Sequence, residues 1–227
     1  MGTCRKDVKI CALVWNECAA IKSTVVILYG HNLGGMIVQE YCSLNHVPAP
    51  GAIILQNCSY TNPLNTMPMG KIIRAVEVFL IDPLLIHISS QSKLFTFLGL
   101  IAYTSGLSSM FYRMLLFGGK QSAKTLRAMA RFAAITKAKT TVWSLMEAFE
   151  FDASKSLGKI KVPCLVLGAK SDKFIALAAA VQIHHMVCTS ELVLLNGGHQ
   201  TLAEYPELTN QAVQKFLQRY NMRSSWA

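Results

Sequence analysis

Acidic side chains are scarce in this chain. Twelve Asp and Glu stand against 22 Lys and Arg, giving a formal net charge of +10 over 227 residues. Such an excess attracts anionic partners, whether lipid surfaces, nucleic acid or small substrates. Zinc-finger spacing, an RNP motif and long Lys/Arg runs are all missing, so only charge argues for nucleic acid and no nucleic-acid partner is expected. Disorder is excluded from the other direction, because 52% of residues are hydrophobic and only 15% are charged. The mean hydropathy of +0.34 is high for a freely soluble protein.

Paired cysteines are also wanting. Cys4, Cys11, Cys18, Cys42, Cys58, Cys164 and Cys188 are odd in number and form no C-x-x-C pair. Lying in apolar runs such as "VPCLVLG", they read as reduced small hydrophobes of a cytosolic-type compartment. The seven-residue spacing of Cys4, Cys11 and Cys18 puts them on one helical stripe with no His or Asp, so packing is expected there. No metal set and no cofactor motif is found. "MGTCRKDVKI" is charged and lacks an apolar core, so no signal peptide is expected. The Met-Gly start fails as a myristoylation signal, because Lys6 stands where Ser or Thr is required.

The length suits one domain with a sizeable core, or a core plus an insertion. Residues 7–21 carry helical apolar spacing. Strand 24–29 then leads into a turn over Gly30–Gly35 and a helix that ends before Pro48. "GAIILQN" (51–57) is a second all-apolar strand. Uninterrupted apolar strands separated by helices mark a parallel sheet covered on both faces. Residues 61–158 break that rhythm with helix-like, Leu-, Phe- and Met-rich sequence. The alternation resumes as strand "VPCLVLGAK", helix "FIALAAAVQIHHMV", strand "ELVLLNGG" and helix "YPELTNQAVQKFLQRY". Three regions follow: 1–60 and 159–227 as the two parts of an α/β core, and 61–158 as a helical cap inserted between them.

The charge-free run from Leu94 to Tyr112 approaches bilayer-spanning length. Gly99, Gly106 and several Ser/Thr argue instead for a buried or interfacial helix pair. Basic residues follow at Arg113, Lys120, Lys124, Arg127, Arg131, Lys137 and Lys139. Two readings stand: an apolar-lined cap with a solvated outer face, or a surface suited to an anionic membrane.

The stretch "VVILYGHNLGG" (25–35) carries Gly30-His31-Asn32-Leu33-Gly34, the G-x-S-x-G elbow with asparagine at the serine position. It sits between an expected strand and an expected helix, the setting that a nucleophile elbow needs. Asp172 follows the strand in "VPCLVLGAKSD", and His199 follows the next one in "LVLLNGGHQTLAEYPE". All three positions fall at carboxyl ends of parallel strands, where α/β sheets build their sites. In these motifs the chain resembles the α/β-hydrolase superfamily, in its esterase- and lipase-like branch with a helical cap. The resemblance implies a mostly parallel sheet flanked by helices, with Asp172 orienting His199 and His199 acting as base toward position 32. It also implies that Leu33 gives one backbone N–H to an oxyanion hole.

Two departures qualify the implied activity. The Asn32 carboxamide has no O–H or S–H for His199 to activate, so acyl transfer through a covalent intermediate is not available there. Asparagine does tolerate the positive φ of such a turn. The chain also begins at the helix before the elbow strand. Relatives carry earlier strands, one ending in a His-Gly loop with the second oxyanion N–H, so a partial fold with half the oxyanion hole is expected. A 24–29 strand without those neighbours would present an edge for a protein partner or self-association.

Three functions compete on this reading. The first is a catalytically impaired α/β-hydrolase homologue that binds an apolar, acyl- or ester-type, lipid-like ligand. The second is an active hydrolase using water activated by His199 and Asp172, or Asp formed from Asn32 by deamidation. The third is a membrane-associated interaction protein. Cys58 and Ser59, at the end of the second strand, are substitute nucleophiles or packing. Asn57 stands where some relatives carry their acid, a role an amide cannot fill. His31 is expected to shape the pocket, and adjacent His184 and His185 make a poor metal pair. His46 and His87 have no partner legible in the sequence.

Overall fold

A computed structural model describes residues 25–44, 47–66 and 70–222. The helix expected over 7–21, the Cys4/Cys11/Cys18 stripe and His46 lie outside the described residues. Four parallel strands form one sheet in the order β1 (Ile27–His31), β2 (Ala52–Gln56), β3 (Cys164–Ala169), β4 (Ser190–Leu195). Ten α-helices accompany them among the described residues.

β2 shows why its sequence is apolar without interruption. Successive side chains point to opposite faces, and both faces are covered. Ile53 and Leu55 join Met36, Val166 and Ile183 in one cluster, under α1 (Leu33–Ser43) and α8 (Leu177–Met186). Ala52 and Ile54 join Leu165, Leu167 and Phe216 in the other, under α10 (Pro206–Arg219). All residues of β2 and β3 are buried, whereas β1 and β4 are only partly covered. Among the described residues β1 pairs with β2 alone.

The turn expected over Gly30–Gly35 is shorter than that. β1 runs on through Gly30 and His31, α1 starts at Leu33, and Asn32 is the whole connection. Position 30 has to be glycine because the start of α1 lies almost on it. A Cβ on Gly30 would stand 2.5 Å from the Gly34 carbonyl oxygen and the Gly35 amide nitrogen.

Between β2 and β3 the chain is helical: α2 (Gly70–Val76), α3 (Asp82–Ser90), α4 (Ser92–Thr104), α5 (Leu107–Leu116), α6 (Ala123–Ile135) and α7 (Ala138–Glu150). Its two ends meet. Thr61 and Asp152 form an antiparallel bridge, and the Ala153 amide donates to the Tyr60 carbonyl at 2.8 Å. The Leu94–Tyr112 run is split by Gly106, whose φ of +81° turns the chain between α4 and α5. Of the buried or interfacial helix pair expected there, the pair is present but not buried. Neither α4 nor α5 contains a buried residue.

Candidate active site

The elbow forms as the G-x-N-x-G spacing predicts. Asn32 has φ 52° and ψ −119°, outside the regions that L-residues ordinarily occupy. A conformation of this kind costs about 1–3 kcal/mol and persists only where its surroundings fix it. Here they do: the Asn32 amide donates to the Gln56 carbonyl on β2, and the Asn32 carbonyl accepts from Gly35 and Met36. Leu33 is first in α1, where a helix amide has no intrahelical acceptor.

The two elbow glycines differ in their reasons. Gly30 is required by close backbone, as above. Nothing lies within 4 Å of a Cβ built on Gly34, and the crowded position is its neighbour. A Cβ on Gly35 would sit 2.5 Å from that of Cys58. The motif spacing points to Gly34, but the doubled glycine at 34–35 is the signal for the close approach.

Asp172 and His199 come together as their strand-end positions imply. His199 Nδ1–H donates to Asp172 Oδ2 at 2.8 Å, and both side chains are 1% exposed. The other carboxylate oxygen, Oδ1, accepts from the amides of Phe174 and Ile175 at 2.7 and 2.8 Å. Asp172 thus shapes its own loop while orienting the imidazole, and α8 starts later than expected, at Leu177. With Nδ1 carrying the proton, the neutral ring has its lone pair on Nε2. That atom is buried and has no hydrogen-bond partner among the described residues, so Asn32 does not bond to it.

A second set of contacts, not foreseen from the sequence, fixes the His199 backbone. His31 Nε2–H donates to the His199 carbonyl at 2.9 Å, and Asn57 Nδ2 donates to the same oxygen at 2.8 Å. Asn57 and Gln56 also donate to Thr201 Oγ1, at 3.0 and 2.6 Å. Tyr29 Oη in turn donates to Gln56 Oε1. The imidazole is packed between His31 and Phe174, with ring centroids 4.9 and 5.1 Å away. Burial, and then the neighbouring His199, lower the pKa of His31, which favours its neutral form. So Asn57, whose amide cannot act as an acid, holds the histidine loop.

Buried Glu204, in α9 (Thr201–Glu204), ties that loop to the helical segment. Its Oε2 accepts from the Gly198 amide at 2.6 Å, while Oε1 accepts from Gly118 at 2.7 Å and Lys120 at 3.2 Å. The Gln200 amide donates to the Leu116 carbonyl, and Lys173 Nζ to the Met114 carbonyl. The end of α5 is thereby anchored on both sides of the Asp172–His199 pair.

Cys58 is a free but buried thiol. It is 2% exposed, it lies against α1, and burial pushes its pKa up to about 12. Ser59 is fully buried, its Oγ accepting from the Thr61 amide. Cys188 departs from the packing role expected of it, being exposed. His184 Nδ1 bonds to Ser190 Oγ, and exposed His87 lies edge-on to Phe95. Among the described residues no group of three or more His, Cys, Asp or Glu is placed to hold a metal ion.

The strand order, the elbow between β1 and α1, and the acid and histidine after β3 and β4 define the α/β-hydrolase fold, and solved structures agree. An esterase from Exiguobacterium antarcticum superposes with a TM-score of 0.68 at 18% identity, over 93% of this chain and 74% of the esterase. A thermophilic esterase from Thermogutta terrifontis gives 0.72 at 13% identity, over 97% and 74%. A bromoperoxidase from Bacillus anthracis gives 0.62 at 18% identity, over 90% and 71%. No family model matches the chain, and no curated protein matches it. The described residues have a partial α/β-hydrolase fold, a four-stranded parallel sheet flanked by helices.

Proposed function

We propose that this protein binds an apolar acyl- or ester-type ligand at the elbow and does not turn it over through a covalent intermediate. The observation that carries this reading is Asn32 itself. The elbow keeps its strained backbone, with φ 52° and ψ −119°, while the side chain at its apex offers no nucleophilic O–H or S–H. The base and its orienting acid remain assembled at 2.8 Å. We read residues 61–158 as a cap over this site, because Glu204 and Gln200 bind its middle, from Leu116 to Lys120 after α5, to the histidine loop. The side of β1 away from β2 is where we place a protein partner or second copy.

A fluorophosphonate probe and short acyl esters test the reading. The chain is expected to form no covalent adduct and to give no acyl burst, and Asn32→Ser is expected to acquire the adduct. Rapid ester hydrolysis by the unaltered chain, lost on His199→Ala, would overturn it. A second reading, hydrolysis by water held at His199, is favoured by one feature: Nε2 is buried and has no hydrogen-bond partner among the described residues. It predicts slow turnover without a burst, abolished by His199→Ala.

A further inference from the structure

From residue 83 to 146 the chain contains no Asp or Glu, yet it carries Lys93, Arg113, Lys120, Lys124, Arg127, Arg131, Lys137 and Lys139. Every one of these basic residues is exposed. The same helices turn apolar side chains outward. On α4, Leu94, Phe97, Leu98 and Ile101 fall at i, i+3, i+4 and i+7, a single helical stripe, and all are exposed. On α5, Leu107, Met110, Phe111 and Met114 repeat both the spacing and the exposure. Helices of soluble proteins use this spacing to reach a core. Here the α5 stripe lines an open apolar groove of about 390 Å³ along α6.

We propose that α4 and α5 form a membrane-docking face, which lays its two stripes into the headgroup–acyl boundary of an anionic bilayer. The surrounding basic side chains engage the lipid charges. Spanning is disfavoured by shape. No single helix among the described residues is long and apolar enough to cross a membrane, and Phe79–Ser90 and Ser92–Thr104, which suffice only together, meet at 92°. A second copy is disfavoured by charge. A two-fold contact through this face would oppose the same basic residues, with no carboxylate in the segment to pair them. The proposal is independent of turnover at His199.

Vesicle flotation of the full chain tests it, with phosphatidylcholine alone and with about one-quarter phosphatidylglycerol. Partition is expected to be roughly tenfold or more greater on the anionic vesicles and to weaken between about 0.05 and 0.5 M salt. Phe97→Glu with Met110→Glu should abolish binding, and Lys93→Glu with Arg113→Glu should remove the preference for anionic lipid. These residues are exposed, so unchanged circular dichroism is expected of all four substitutions. Equal or absent binding on both vesicles would overturn the proposal. So would full binding by the Phe97/Met110 variant, or a lipid-free dimer that this variant dissolves in a chain that ignores vesicles.

Discussion

Gly198 and Gly118 touch through their backbones. A Cβ on Gly198 would stand 2.6 Å from the Gly118 amide nitrogen, and one on Gly118 would stand 2.8 Å from the Gly198 amide nitrogen. Glu204 accepts from both amides, so one buried carboxylate clamps the histidine loop onto the chain that leaves α5. Since backbone cannot give way as a flexible side chain does, Gly198→Ala is expected to destabilise the fold by about 1–3 kcal/mol. Urea titration measures the loss. Ala at 198 with an unchanged midpoint would dismiss the clamp.

The neighbouring elbow glycines should respond in opposite senses. Gly34→Ala adds a methyl to open space near the start of a helix and is expected to stabilise by up to about 1 kcal/mol. Gly35→Ala drives a methyl into Cys58 and is expected to cost about 1–3 kcal/mol. The two urea midpoints, taken side by side, check both signs.

Thiol accessibility separates Cys58 from Cys188. Cys188 is exposed, whereas Cys58 is buried with its pKa pushed up to about 12. At a pH of about 8, near the ordinary thiol range, iodoacetamide is expected to modify Cys188 readily and Cys58 only after unfolding. Site-resolved mass spectrometry reads the order. Equal rates at the two positions would restore Cys58 as a candidate nucleophile.

His31 should make stability depend on pH on the acid side. Its pKa is lowered in the folded chain by burial and then by His199. Its contribution is therefore complete above the unfolded value near 6.5, and it is lost as pH falls toward the lowered folded value, because only the unfolded chain takes up the proton there. His31→Gln keeps a donor in this position without a titrating ring. The urea midpoint of the wild type is expected to fall more steeply below about pH 6.5 than that of the variant. Parallel curves would assign the acid sensitivity to other groups.

The sequence by itself located the strand-end positions of the candidate site and the class of sheet. Hydrophobic runs without alternation have no solvent face to serve, so β2 and β3 had to lie inside a parallel sheet. Glycines at 30 and 34–35 around Asn32 marked the elbow, and Asp172 and His199 stood just past two of the expected strands. Local spacing carries that information. Only the tertiary structure decided what holds those groups and which way the remaining apolar faces turn. Asn57 reaches the His199 carbonyl across 142 residues, and no local pattern distinguishes such an amide from any other polar strand end. The 3.6-residue period of α4 and α5 likewise identifies a stripe but not what covers it. The fold left both stripes facing outward, beside cations with no carboxylate of their own segment to meet.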